Sequence, residues 1–316
     1  PIRPMGDRAI AVFNPPEHPV LAQDKVCYVG QPVAVVVAID PYLARDGADL
    51  VSVNYEILAP VIDPDTAANE DTPVVHPGLG TNVAMRSVQA GGDIDQAFAH
   101  ADHVVRQMYR IPRLAPSPLE TRGVIGDYDP AEDFLTVWDS TQAPHQVKRY
   151  LAQMLERPEE TIRVVAPDVG GSFGIKDCLL PEEPLIPYLS LRLEKPVKWI
   201  EDRQENLLTY HGRGMSLDVE AAVKSDGTFL GIRVKIVADL GAYFYFTSPF
   251  PLFNAARRIT GTCSVAARRR SCPGSCRADS CACSCSGTCR AGSPSRRRRA
   301  GARQPLGAAI SGRAGP

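Results

Sequence analysis

The sequence predicts an α+β fold, a small α/β unit followed by a larger mixed α+β domain, and three patterns carry that expectation. A β-branched run, Val33 to Ile39, precedes an N-cap-like Asp40-Pro41, and a second extended run follows at Val53 to Leu58, giving strand, helix and strand in short order. Val147, Tyr150, Leu151, Met154 and Leu155 recur at offsets of three and four, the one-sided stripe of an amphipathic helix. Leu217, Val219, Ala221 and Val223 alternate before Ser225-Asp226-Gly227-Thr228, and Ile232, Val234, Ile236 and Ala238 alternate after it, as in a two-stranded hairpin.

Taken in order, the first unit ends at the proline- and glycine-marked linker Pro73-Val74-Val75-His76-Pro77-Gly78. Its expected bounds are 1–82, those of the mixed domain 95–262, and those of a tail 263–316. Strands of antiparallel character are expected at His103 to Ile111, Gly123 to Tyr128, and Phe134 to Asp139 beyond a Pro130-Ala131-Glu132-Asp133 turn. The amphipathic helix, a strand from Thr161 to Ala166, and a helix containing Leu189, Leu191 and Leu193 then lead into Val197-Lys198-Trp199-Ile200. No internal repeat appears.

Charge divides the chain more sharply than hydropathy does. Of 35 Lys plus Arg and 36 Asp plus Glu, the stretch from Gly261 onward holds eleven Arg, no Lys and one acid, Asp279. Its formal charge is therefore +10, which leaves −11 for the first 260 residues and sums to the chain's −1. An acidic body without a basic stripe argues against a nucleic-acid partner. No run reaches the roughly 18 consecutive apolar residues that span a bilayer, so no transmembrane segment is expected. Within the acidic part only Cys27 and Cys178 occur, which suits a reducing, cytoplasmic compartment.

Two segments look chemical. Asp168-Val169-Gly170-Gly171-Ser172-Phe173-Gly174-Ile175-Lys176 follows an expected strand; glycines around one aromatic let the main chain approach a ligand, and successive N–H groups can cradle anionic oxygens. A phosphate-binding P-loop fails on spacing, because Ile175 precedes Lys176 and Asp177 follows it. Alone, the segment fits a structural glycine turn as well as a ligand loop. The second segment, Trp138-Asp139-Ser140-Thr141-Gln142-Ala143-Pro144-His145, joins a strand to the amphipathic helix. Gln142 can offer its amide to a buried oxygen there, or Thr141 or Gln142 can simply cap the helix. For His145, a structural role outweighs a metal-binding one, since no second ligand stands at metal spacing.

Together the two segments, with Ile162-Arg163-Val164-Val165 between them, resemble the molybdopterin-binding region of the xanthine dehydrogenase, aldehyde oxidase and aerobic carbon monoxide dehydrogenase family. Val29-Gly30-Gln31-Pro32-Val33-Ala34 through Tyr55-Glu56 is similar to that family's small α/β hammerhead domain. Leu119-Glu120-Thr121-Arg122-Gly123 and Pro196 to Asn206 resemble further family segments, so the likeness covers about residues 20–262.

The resemblance implies a molybdenum–molybdopterin cofactor, in its cytosine dinucleotide or simpler form, with no protein side chain as principal metal ligand. It implies that Gln142 hydrogen-bonds near the metal and that Gly171, Ser172, Phe173 and Gly174 line metal and pterin. Ser172 departs from the commoner glycine; its hydroxyl adds a donor provided its φ is permitted. An FAD-binding medium subunit and a 2Fe-2S small subunit are the implied partners. The implied reaction is hydroxylation of a small-molecule substrate with water as oxygen source, in the cytoplasm or peripheral to the inner face of its membrane. Carbon monoxide, an aldehyde and an N-heterocycle remain open as substrates, with the Tyr210-His211-Gly212-Arg213-Gly214-Met215 region leaning to the carbon monoxide branch. The family's glutamate base does not appear among these residues, and Glu120, Glu182 and Glu183 do not replace it.

Beyond Thr262 the likeness stops, and the Arg/Cys-rich tail reads like GC-rich codons translated out of frame. The chain, opening at Pro1-Ile2-Arg3-Pro4, is accordingly expected to be a fragment incomplete at its N-terminus. Cys272, Cys276, Cys281, Cys283, Cys285 and Cys289 match no paired C-x-x-C metal site, and Arg296 to Arg299 lack the aromatics of a nucleic-acid patch. The contrasting expectation is a non-catalytic remnant that binds pterin or metal without turnover.

Overall fold

The computed structural model describes residues 12–88, 90–177, 179–212, 214–244 and 309–310. Among these described residues ten strands appear: β1 (Val12–Phe13), β2 (Met85–Arg86), β3 (His103–Ile111), β4 (Gly123–Asp129), β5 (Phe134–Asp139), β6 (Ile162–Val165), β7 (Val197–Ile200), β8 (Gly214–Val223), β9 (Phe229–Asp239) and β10 (Ala309–Ile310). Five α-helices accompany them: α1 (Pro41–Asp49), α2 (Ile94–Ala99), α3 (Pro144–Met154), α4 (Glu182–Leu193) and α5 (Arg203–Thr209). The α+β class expected from the sequence is the one found.

The main sheet has the order β10-β7-β4-β5-β6. The antiparallel character expected for the strands at 123–128 and 134–139 is found, β4 pairing antiparallel with β5 and also with β7, while β5 and β6 are parallel. The reason is the helix between them: α3 carries the chain back along the sheet, so β6 starts at the same end as β5. α3 and α4 supply its cover. Val147, Leu151 and Ala152 of α3 and Ile186 of α4 pack with Val124, Leu135, Val137, Ile162, Val197 and Trp199 into one buried cluster. Closeness here depends on Gly126, where a Cβ would lie 2.8 Å from the Cα of Pro187 in α4.

The hairpin forms as its alternation predicts, β8 pairing antiparallel with β9 around Asp226-Gly227, with β3 on the other side of β8. At the start of the chain one element holds and two do not. Asp40 caps α1, its carboxylate accepting from the amides of Tyr42 and Leu43 at 2.9 and 2.8 Å, with Pro41 at the first helical position. Neither Val33–Ile39 nor Val53–Leu58 joins a ladder, and Ile39 and Ile57 are 83% and 93% exposed. Extended propensity is local, whereas a strand needs a partner row of N–H and C=O groups, and Val37 makes no more than a single-residue bridge.

Two short helices escaped the sequence reading although their caps were legible. Asp93 caps α2 through the amide of Gln96, and Asp202 and Glu205 form a capping box on α5. Among the described residues no helix is long and apolar enough to cross a membrane. Ala309–Ile310 pair parallel with β7; the other expectations for 263–316, the tail cysteines included, fall outside the described residues.

Candidate cofactor-binding site

Strand directions bring the chemical segments to one end of the main sheet. β4 begins where β5 ends, Val124 standing opposite Asp139, and β7 ends there too, Gly123 standing opposite Ile200. The parallel β6 delivers its carboxyl end to the same place, which is where open α/β sheets commonly bind ligands.

The chain leaves β5 through Ser140-Thr141-Gln142 and enters α3. The helix has Ala143 as its N-cap residue and Pro144 at its first position, and no side chain caps it. Thr141 is otherwise engaged: its buried hydroxyl donates to the Lys176 carbonyl at 3.0 Å and accepts from the Ala143 amide at 3.0 Å. The Gln142 amide also donates to the Lys176 carbonyl, at 3.1 Å. Gln142 is thus held by its main chain, while its carboxamide is left exposed and uncommitted to the helix.

The glycine segment comes to meet it. Gly171, Phe173 and Gly174 have φ of 95°, 54° and 96°, a left-handed path that favours glycine, whereas Ser172 is not among the positive-φ residues, so serine is tolerated there. The Ser172 hydroxyl donates to the side-chain oxygen of Gln142. A Cβ on Gly171 would sit 3.2 Å from the Phe173 ring and 3.3 Å from Pro118. The Phe173 ring is 75% exposed at the rim, and Ile175 anchors the segment in a second small core with Leu180 and Tyr210. The Ser172 contact thus brings Gln142 beside the turn that holds Gly171, Phe173 and Gly174. His145 lies exposed on α3.

Beneath this surface sits a charged layer that the sequence reading did not foresee. Lys176, 2% exposed, donates its ammonium to Glu120 Oε2 at 2.8 Å, and the same carboxylate oxygen accepts from the Gly170 amide. Burial opposes ionisation of Glu120, but the Lys176 ammonium and the Gly170 amide outweigh it and hold the carboxyl below its usual range. Deeper, Arg122 is 1% exposed and donates to Glu201 at 2.8 and 3.0 Å, to Glu182 at 3.0 Å and to Glu183 at 3.0 Å, with its guanidinium over the Trp199 ring. One guanidinium cannot neutralise them all. Burial pushes Asp139 up to about 7 against the pull of Arg122 and Lys176; burial pushes Glu183 up to about 8 against Arg122, with Asp139 and Glu182 adding to the rise. Glu182 and Glu183 are thus tied to Arg122, and Glu120 to Lys176.

A family profile described as the molybdopterin cofactor-binding domain matches residues 75–271, more than half of the chain. This chain belongs to the molybdenum hydroxylase large-subunit family. A second profile, the a/b hammerhead domain of aldehyde oxidase and xanthine dehydrogenase, matches residues 4–59. Among curated relatives of this family, the 6-hydroxypseudooxynicotine dehydrogenase complex subunit gamma of Paenarthrobacter nicotinovorans is 43% identical over 73% of this chain and 29% of its own. The carbon monoxide dehydrogenase large chain of Hydrogenophaga pseudoflava is 38% identical over 71% of this chain and 30% of its own. Among solved structures, quinoline 2-oxidoreductase from Pseudomonas putida 86 superposes with a TM-score of 0.70 at 37% identity, covering 74% of this chain and 30% of that one. The chain thus spans under a third of the length of these family members.

Proposed function

We propose that this chain is the molybdopterin-holding part of a catalytic large subunit, with the hammerhead unit at 1–82 and the first molybdopterin-binding domain at 95–262. The observation that carries the reading is Gln142: its carboxamide is free of the helix it precedes, faces the Gly171–Gly174 turn, and is oriented by Ser172. The residues present fit a pterin-bound metal centre, since Gly174 leaves open space beside the main chain, a Cβ on Gly171 would press on the Phe173 ring, and the Ser172 hydroxyl engages the oxygen of Gln142 so that its amide N–H groups can donate. Gln142 and Ser172 would hold the metal end, the amides of Gly171 and Gly174 the anionic oxygens, and the Phe173 ring would shield the group from water.

Molybdenum held by a pterin dithiolene supplies the two-electron chemistry that places a water-derived oxygen on an electron-poor carbon. In this family reading an FAD-binding medium subunit and a 2Fe-2S small subunit carry the electrons away, and the pterin is in its cytosine dinucleotide form. Two of the three relatives described above are named for pyridine-type or quinoline substrates, one of them at the highest identity of the three, which favours an N-heterocycle over the carbon monoxide suggested by the Tyr210–Met215 likeness.

The test is to purify the full chain from a host that makes the cofactor and measure molybdenum by mass spectrometry and pterin by fluorescence after oxidation. Stoichiometric metal and pterin are expected. A folded chain carrying neither would sink the reading. Ser172→Gly should keep the fold but lower bound pterin about threefold, the loss of one modest hydrogen bond that orients Gln142.

A further inference from the structure

Three segments far apart in sequence meet at one ion pair. The Lys176 carbonyl receives the Gln142 amide at 3.1 Å and the Thr141 hydroxyl at 3.0 Å, so the end of β5 hangs on it. The Lys176 ammonium, whose side chain is 0% exposed, reaches the other way to Glu120 Oε2 at 2.8 Å. That oxygen also accepts from the Gly170 amide, while the Glu120 amide donates to the Gly170 carbonyl at 3.2 Å. Contact is too close for any side chain at Gly170, where a Cβ would lie 2.6 Å from the Cβ of Glu120. Glu120 is itself fixed from behind, because Arg203 on α5 donates to the carbonyls of Pro118 and Leu119 at 2.6 and 3.0 Å.

We propose that Glu120 and Lys176 are positioning residues, a clamp with a buried lysine and a half-buried glutamate that sets the spacing between the Gln142 segment and the glycine turn and so shapes the cofactor pocket. The inference rests on the cofactor reading above for its purpose, though not for its geometry. Neither group is assigned a role on substrate: Glu120 Oε2 is held by both the ammonium and the Gly170 amide, and the ammonium is sealed from solvent. Removing Glu120 leaves the sealed Lys176 ammonium without its partner, which is why this pair couples the segments rather than merely decorating them. A salt bridge that only stabilised the fold would not need its lysine carbonyl to hold the cofactor-facing glutamine.

Hydrogen–deuterium exchange of the full chain tests the clamp whether or not cofactor is bound. Lys176→Met and Glu120→Gln should each raise exchange about tenfold in peptides covering 140–143 and 168–177, while the β8–β9 hairpin keeps its protection. The double variant should be no worse than either single one, and Lys176→Arg should restore part of the protection and of the bound pterin. Unchanged exchange at 140–143 in the Met variant, or additive effects in the double variant, would overturn the proposal. If the Met and Gln variants lose protection in the hairpin too, Glu120→Asp and Lys176→Arg decide: the clamp requires exchange above wild type at both segments, and wild-type exchange in both variants overturns it. A wild-type chain without pterin would sink the cofactor reading while these exchange rates still judged the clamp.

Discussion

β5 and β3 belong to one mixed α+β region and meet opposite fates. In β5 burial alternates, and Leu135 and Val137 are completely covered; in β3 all nine residues are exposed, Val105 and Met108 to 56% each. Both strands are rich in β-branched and aromatic residues, so composition does not distinguish them. What differs is cover. α4 lies across β4 and β5 and α3 packs beside it on β6, whereas α2 packs on β9, its Ile94 and Ala97 fitting against Gly231, and among the described residues no helix lies over β3. Apolar alternation states what a strand is able to bury, and neighbouring elements decide whether it does.

The charged floor under β5 should break first. Arg122→Met strands three carboxylates in the interior and should cost about 3–5 kcal/mol in denaturant unfolding. A loss under 1 kcal/mol would mean the layer relaxes by proton uptake. Next, Leu135→Ala should lose about 2–5 kcal/mol by the same measurement, through lost burial and the cavity left behind.

The third effect is one of pH. Asp139 and Glu183 titrate near 7 and 8 in the fold, above the carboxylate range of the unfolded chain, so between those values the folded state binds more protons. Stability from these groups is fully present below the unfolded range and is lost as pH rises through about 7 and 8. Melting temperature should therefore fall from pH 5 to pH 8, and Asp139→Asn should flatten that slope; an unchanged slope would remove Asp139 from the account. Smallest of all, Val105→Thr on β3 should alter stability by less than about 0.5 kcal/mol. A loss comparable to that of Leu135→Ala would show that β3 is covered in solution.

Much of this was legible from residue order. Asp40-Pro41 announced α1, the offsets from Val147 to Leu155 announced α3, and Asp226-Gly227 announced the β8–β9 hairpin, because caps, helical stripes and tight turns are written within a few neighbouring residues. Gln142 and Gly171 to Gly174 were found as candidates for the same reason, each lying where a strand gives way to a turn. The strands expected at Val33–Ile39 and Val53–Leu58 did not form ladders, since pairing needs a partner that no local pattern names. Lys176 was noticed only as a mismatch to a P-loop, and Glu120 only as one residue of a family-like segment; nothing near either predicts the other, 56 residues away.

The sequence by itself determined α1, α3 and α4, the turn of the β8–β9 hairpin, which residues are candidates for the family's cofactor chemistry, and that the first 260 residues are acidic. Only the tertiary structure decided that β5 and β6 run parallel, that Arg122 gathers Glu182, Glu183 and Glu201, and that Lys176 joins Glu120 to Gln142. Local order is set by torsional preference and by hydrogen bonds between near neighbours, which the sequence displays directly. Burial, pairing and the titration of a carboxyl group depend on what the rest of the chain brings within a few ångströms, and that exists only once the chain has folded.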